Sequence, residues 1–125
     1  MAGMNYVADV VKFHEKFGVP IRDSAGLPSY ERKALRFTLI IEEITELTEA
    51  FADDDLEKIA DGIADAVYVL IGAALEYGIP FAAVWKEVHA ANMRKVNGPV
   101  RADGKILKPE GWRGPDIERV LRVGG

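Results

Sequence analysis

The chain contains no cysteine. It therefore has no disulfide, no thiolate zinc site and no cysteine nucleophile, and its composition suits a reducing cytosol. Histidine is scarce: His14 and His89 are the two present, and neither sits in a Glu-x-x-His pair. That disfavours zinc and the di-iron bundles built on such pairs. Positive charge is also short, with 16 basic against 20 acidic residues and a net charge of −4. No bulk field draws a polyanion, so no nucleic-acid partner is expected. Long apolar runs are missing too. The longest, residues 62–75, is too short to span a bilayer and contains Asp65. The opening MAGMNYVADVVKFHEK carries early charges and lacks the apolar centre of a signal peptide. No membrane partner is expected, and the cytoplasm is the expected location.

What is present is helical pattern. At 125 residues the chain is long enough for a single domain, 1–125, with a core of its own. Tyr6 to Phe17 keeps a helical period and stops at Gly18 and Pro20. Ser29 is placed to cap a long helix from Tyr30 to about Ala52, and Asp53, Asp54 and Asp55 interrupt it. A third helix runs from Leu56 to Tyr77 and stops at Gly78 before Pro80. A fourth covers Phe81 to Val96 and ends at Asn97-Gly98-Pro99. Residues 99–114 read as a loop with a turn at Asp103-Gly104, and Pro115 opens a short final helix to Val123. The expected fold is all-α: a four-helix-bundle type with an irregular C-terminal loop and a short last helix.

Two helices carry the chemistry. Residues 62–75, GIADAVYVLIGAAL, are apolar on every side except for Asp65, so a buried helix is expected. A buried carboxylate needs a cation or hydrogen bonds. Asp61 lies one turn earlier on the same face. On the second helix, Glu42, Glu43, Glu46 and Glu49 share an arc with apolar Leu35 and Leu39. The apolar stripe of Ile40, Ile44, Leu47 and Phe51 lies nearly opposite. An isolated acidic arc is ordinarily a solvated face. Here leucines share it and a second helix adds Asp61 and Asp65, so a divalent-metal site is the better reading. All-oxygen donors suit Mg²⁺, with Mn²⁺ the other ion they suit. Such a site polarises phosphoryl oxygens and activates water against a phosphate chain.

The pattern of EExxE on one helix, then a DxxxD-VYVLxG helix, resembles the MazG-like and phosphoribosyl-ATP pyrophosphohydrolase-like all-α nucleoside triphosphate pyrophosphohydrolases. The downstream text EVHAANMRKVNGPVRADGKILKPEGW resembles the branch related to dimeric dUTPases. The resemblance implies hydrolysis of a (deoxy)nucleoside triphosphate, dUTP or another, between its α and β phosphates. The products would be monophosphate and pyrophosphate, in the service of pool sanitation. It also implies Mg²⁺ dependence and a homodimer, or a tetramer. By position, Glu43, Glu46 and Asp65 match metal ligands, and Glu42 matches the glutamate that holds metal or orients the attacking water. The family's glutamate three residues before Asp65 is here Gly62. Asp61 is placed to supply that carboxylate; alternatively it pairs with Lys58 or Lys95 at the surface.

Further candidates each have two readings. Asn92 and Lys95 are spaced i, i+3 near the end of the fourth helix, as surface polar residues or, by the resemblance, as a base or ribose contact and a phosphate contact. Lys105 and Lys108, with Arg101, are solvated loop residues or a group that closes over a triphosphate. Trp112 stacks on a base or anchors its loop. Arg36 is a substrate contact or an ion pair behind the acidic face. Tyr68 hydrogen-bonds a ligand or carboxylate, or packs in the core. For Phe13 and Phe17 core packing is expected, for His14 a surface role, with a base pocket as the alternative. Two functions from different classes follow. One is a nucleoside triphosphate pyrophosphohydrolase, with phosphoribosyl-ATP as the runner-up substrate. The other is a non-catalytic metal-binding helical assembly protein.

Overall fold

The computed structural model describes residues 5–124. The first four residues of the segment read above as lacking a signal-peptide centre lie outside them. The described chain is all-helical: α1 (Tyr6–Phe17), α2 (Tyr30–Ala52), α3 (Leu56–Glu76), α4 (Phe81–Met93) and α5 (Ile117–Val123). It divides into two compact units, split between Phe81 and Ala82.

In the first unit Ser29 caps α2 as its position suggests, and Asn5 and Asp55 cap α1 and α3. The Asn5 side chain accepts from Ala8 N at 3.0 Å, Ser29 Oγ from Arg32 N at 3.3 Å, and Asp55 from Lys58 N at 3.2 Å. Each satisfies an amide the helix itself leaves open. Between α2 and α3 the amides of Asp53, Asp54 and Asp55 bond the carbonyls of Glu49, Phe51 and Ala50. Asp54 takes φ +50°, which aspartate tolerates better than most residues. The loop before α2 is stitched to the far end of α3 through Arg22 N to Leu75 O, 2.9 Å, and Gly26 N to Tyr77 O, 3.0 Å. Gly78 has φ +64° and a side chain there would run into the Ser24 carbonyl, so glycine is required twice over.

Val10, Ile71 and Leu75 form the core between α1 and α3, with Val7, Val11 and Phe81 packed against them. Each large aliphatic side chain buried there contributes about 1.5–3 kcal/mol. His14 is buried, its Nδ1 3.0 Å from the Pro20 carbonyl, which corrects the surface role expected for it. Phe13 and Phe17 are exposed rather than in the core. Their rings meet at 4.7 Å, tilted by 48°, and Phe13 meets Tyr68 edge-on at 5.6 Å.

α2 and α3 pack antiparallel along a seam of small residues. A Cβ on Gly62 would stand 3.1 Å from Leu47 Cδ1 and 3.4 Å from Leu47 Cα, and one on Gly72 would overlap the Arg36 guanidinium. Ala50 and Ala66 are buried on the same two helices. Such close approach orients α2 differently from its hydropathy pattern. Arg36 and Ala50 are its buried residues, whereas Ile44 and Phe51 of the expected stripe are exposed. Nor is α3 covered on every side: Ile63, Val67, Tyr68 and Leu70 are exposed. Within this unit only α1 and α2 pack on it substantially, and two neighbours cannot cover a helix's full circumference.

In the second unit α4 ends at Met93, three residues earlier than its periodicity suggests. Lys95 N turns back to Asn92 O at 3.1 Å, and Asn97 adopts φ +63°, so Lys95 lies beyond the helix. A short hairpin follows, closed by Arg101 N to Lys105 O at 2.7 Å and turning at Asp103-Gly104. α5 begins at Ile117 because Asp116 caps it, accepting from Arg119 N at 3.2 Å. Glu87 on α4 accepts from Asp116 N at 3.0 Å and Arg119 Nη2 at 3.2 Å, tying α5 to α4.

Candidate active site

The α2–α3 seam has two chemically distinct stretches. At the end near the α3 C-terminus, the Glu76 carboxylate is wholly buried and held in a fork by Arg32, with Nε to Oε1 at 2.7 Å and Nη2 to Oε2 at 2.9 Å. Arg36 Nη1 stands 3.3 Å from the same carboxylate, and its Nη2 donates to the Val69 carbonyl at 2.6 Å. Arg36 Nε is buried without a partner. Burial lowers the Arg36 pKa, while the hydrogen bond to Glu76 raises that of Arg32. The structure thus places Arg36 in a core ion pair.

About two turns along α2 the seam becomes acidic. Glu43 is half-buried, and its Oε2 has no hydrogen-bond partner. Desolvation pushes its carboxyl above the ordinary range, and the charges of Glu46, Asp65 and Glu42 push it further. Asp65 is raised likewise, by desolvation first and then by Asp61 and Glu46. Glu43 and Glu46 of α2 and Asp61 and Asp65 of α3 thus act on one another's charge, with Glu42 beside Glu43 on α2. Beside them opens a cleft of about 300 Å³ lined by Glu46, Glu49, Asp53, Lys58, Asp61 and Asp65, with Ala50 and Gly62 in its wall. Sequence reasoning had left Asp53 to the helix break and Lys58 to the surface. Their helical phase was the available signal: Asp53 follows Glu42, Glu46 and Glu49 on one arc, and Lys58 precedes Asp61 and Asp65 on another.

The raised carboxyls of Glu43 and Asp65 and the unpaired buried oxygen mark a site where negative charge outweighs the one lysine, Lys58, in the cleft wall. The donor set fits a hard divalent cation such as Mg²⁺. As placed, no three His, Asp or Glu side chains among the described residues converge tightly enough to hold an ion. At position 62, where this chain has glycine, a Cβ would press on the Leu47 side chain, 3.1 Å from its Cδ1.

The remaining candidates sit elsewhere. Tyr68 belongs to the exposed aromatic group with Phe13. In the second unit Trp112 anchors its loop through Nε1 to the Ala91 carbonyl at 2.8 Å. Lys95 and Lys108 hold their ammonium groups 5.3 and 5.1 Å from its ring centre. Asn92 is exposed on the last turn of α4, and Lys105 is exposed in the hairpin, its amide directed at Asp103. The structure thus forms two groups, the carboxylates in one unit and the Trp112–lysine cluster in the other.

An all-α chain with glutamates and aspartates facing each other across two antiparallel helices has the build of the all-α pyrophosphohydrolases. The profile of the phosphoribosyl-ATP pyrophosphohydrolase family matches residues 10–92. The chain belongs to that family, and so to the MazG-like superfamily of nucleotide pyrophosphohydrolases. No curated protein matches the chain.

Proposed function

We propose that this chain is a Mg²⁺-dependent nucleoside triphosphate pyrophosphohydrolase that releases pyrophosphate from a deoxynucleoside triphosphate, dUTP or another, and so adjusts the nucleotide pool. The observation that carries the reading is the unpartnered, buried Glu43 oxygen beside Glu46 and Asp65, which line an open cleft together with Asp61. Glu43, Glu46, Asp61 and Asp65 would hold the cation, which supplies Lewis-acid polarisation of the phosphoryl oxygens and a lowered pKa for bound water. Glu42 would orient the attacking water and accept its proton. By the resemblance, Lys95, Lys105 and Lys108 would be phosphate contacts and Asn92 a base or ribose contact. The family match favours a second substrate, phosphoribosyl-ATP, which the same chemistry would cleave.

The proposed assembly is a homodimer. Two outward stripes support it: Phe37, Ile41, Ile44 and Phe51 on α2, and Leu56, Ile63, Val67 and Leu70 on α3, all exposed. They recur at helical spacing, and a twofold axis would pack them against their own copies. A net charge of −4 supports no nucleic-acid partner. Among the described residues no single helix is long and apolar enough to cross a membrane. The proposed location is the cytoplasm, where nucleoside triphosphates and Mg²⁺ are abundant.

The test is a screen of nucleoside triphosphates, deoxynucleoside triphosphates and phosphoribosyl-ATP with Mg²⁺, scoring pyrophosphate against single-phosphate release. Pyrophosphate from one substrate, lost in Glu46→Gln and Asp65→Asn, is the expected result. Turnover that persists in both variants at low Mg²⁺ refutes the assignment, and no turnover on any substrate favours the non-catalytic assembly protein.

A further inference from the structure

The α2–α3 seam is smooth. Gly62, Gly72, Ala50 and Ala66 leave few projections to interlock, so apolar packing alone fixes the axial register of the two helices poorly. Beyond the three-residue link at one end, directional contacts between the two helices are concentrated at one place. Glu76 is wholly buried, forked by Arg32 at 2.7 and 2.9 Å and approached by Arg36 at 3.3 Å. Arg36 also grips the Val69 carbonyl at 2.6 Å, through a gap that exists because residue 72 has no side chain. A buried ion pair contributes little net stability compared with an apolar pair, and its best-attested use is to specify one arrangement over its neighbours.

Arg36 and Glu43 lie about two turns apart at nearly the same helical phase, and Glu76 and Asp65 about three turns apart at nearly the same phase. Ionic cluster and carboxylates therefore lie along one seam, on the same two rigid helices. A slip of one turn, about 5.4 Å, would break the fork at Glu76 and carry Glu43 away from Asp65 by the same distance. We propose that Glu76, closed on by Arg32 and Arg36, is a positioning group: it holds α2 at one register on α3 and thereby sets Glu43 opposite Asp65. This rests on the reading of the acidic cleft as the reaction centre.

The test has one arm for register and one for the cleft. A Cβ on Gly62 would lie 3.4 Å from Leu47 Cβ, close to the roughly 3.5–4.5 Å a disulfide spans. The chain has no cysteine of its own, so Leu47→Cys with Gly62→Cys supplies the only thiols. That pair should cross-link readily on oxidation, and adding Glu76→Gln should slow closure at least tenfold. In the otherwise unaltered chain, Glu76→Gln should weaken Mn²⁺ binding, read by calorimetry, at least tenfold while the helical circular dichroism persists. Gly72→Ala displaces the guanidinium of Arg36 alone and should move both readings the same way by less, which covers the case in which Glu76→Gln does not fold. Unchanged cross-linking overturns the register claim. Slowed cross-linking with unchanged Mn²⁺ affinity overturns the positioning claim, since a merely structural pair behaves so. A parent protein that binds no Mn²⁺ overturns the reading of the cleft and the positioning with it, while the cross-link still reports on register.

Discussion

Arg36 and Glu76 touch each other, yet replacing each with methionine should have unequal consequences. In Glu76→Met the fork to Arg32 and the contact to Arg36 vanish together, and the 8% exposed Arg36 side chain keeps its charge with no anion beside it. Stranding a buried charge in this way costs about 3–5 kcal/mol. In Arg36→Met the Glu76 carboxylate still has both its bonds to Arg32. What is lost is mainly the charge-assisted bond to the Val69 carbonyl, about 1.5–3 kcal/mol. What is relieved is the unpartnered Nε, about 1–3 kcal/mol of desolvation, and methionine fills part of the vacated space. The net cost of Arg36→Met should therefore be at most about 2 kcal/mol. Urea unfolding at pH 7 with a shared slope separates the two variants, because the difference in midpoint then reports stability alone. Equal losses, or a larger loss for Arg36→Met, would refute the picture of a carboxylate served chiefly by Arg32.

The raised carboxyls of Glu43 and Asp65 have a defined sign in stability. Their contribution is fully present below the unfolded carboxyl pKa of about 4 and is lost as pH rises through their higher folded values. Without metal, Asp65→Asn should therefore raise the melting temperature at pH 7 and leave it nearly unchanged at pH 4; no gain at pH 7 removes the repulsion argument. Asp61→Ala should raise the Mg²⁺ concentration needed for half-maximal turnover severalfold, and an unchanged requirement would make Asp61 a surface residue. Gly62→Glu should destabilise the protein without lowering that requirement, because its Cβ meets Leu47; thermal unfolding and Mg²⁺ titration decide both halves. Sedimentation should find a dimer at micromolar concentration, and a monomer there would sink the proposed pairing of the outward stripes.

The helix boundaries of α1, α2 and α3 were legible because their stop and start signals are local: Gly18, Ser29, Asp55 and Gly78 act within a turn of themselves. The end of α4 was not, since Val96 continues the apolar rhythm of Met93 while the backbone has already left the helix after Met93. The packing face of α2 was misread for a physical reason. Hydropathy points to Ile44 and Phe51, but close approach is set by small residues, whose burial adds little to an apolar pattern. The carboxylate cluster could be found by helical phase alone. The Glu76 pairing could not, because its arginines stand forty-odd positions earlier and no spacing rule joins them.

The link between α2 and α3 is three residues long, and each of its amides bonds back to the last turn of α2. Surface loops ordinarily absorb insertions and deletions easily. This one cannot, because an added or missing residue would have to re-form all three bonds and would change where α3 begins along α2. Variation in chain length should therefore be rejected at positions 53–55 and accepted at the hairpin tip of Asp103 and Gly104, where both residues are exposed and a Cβ on Gly104 would meet nothing.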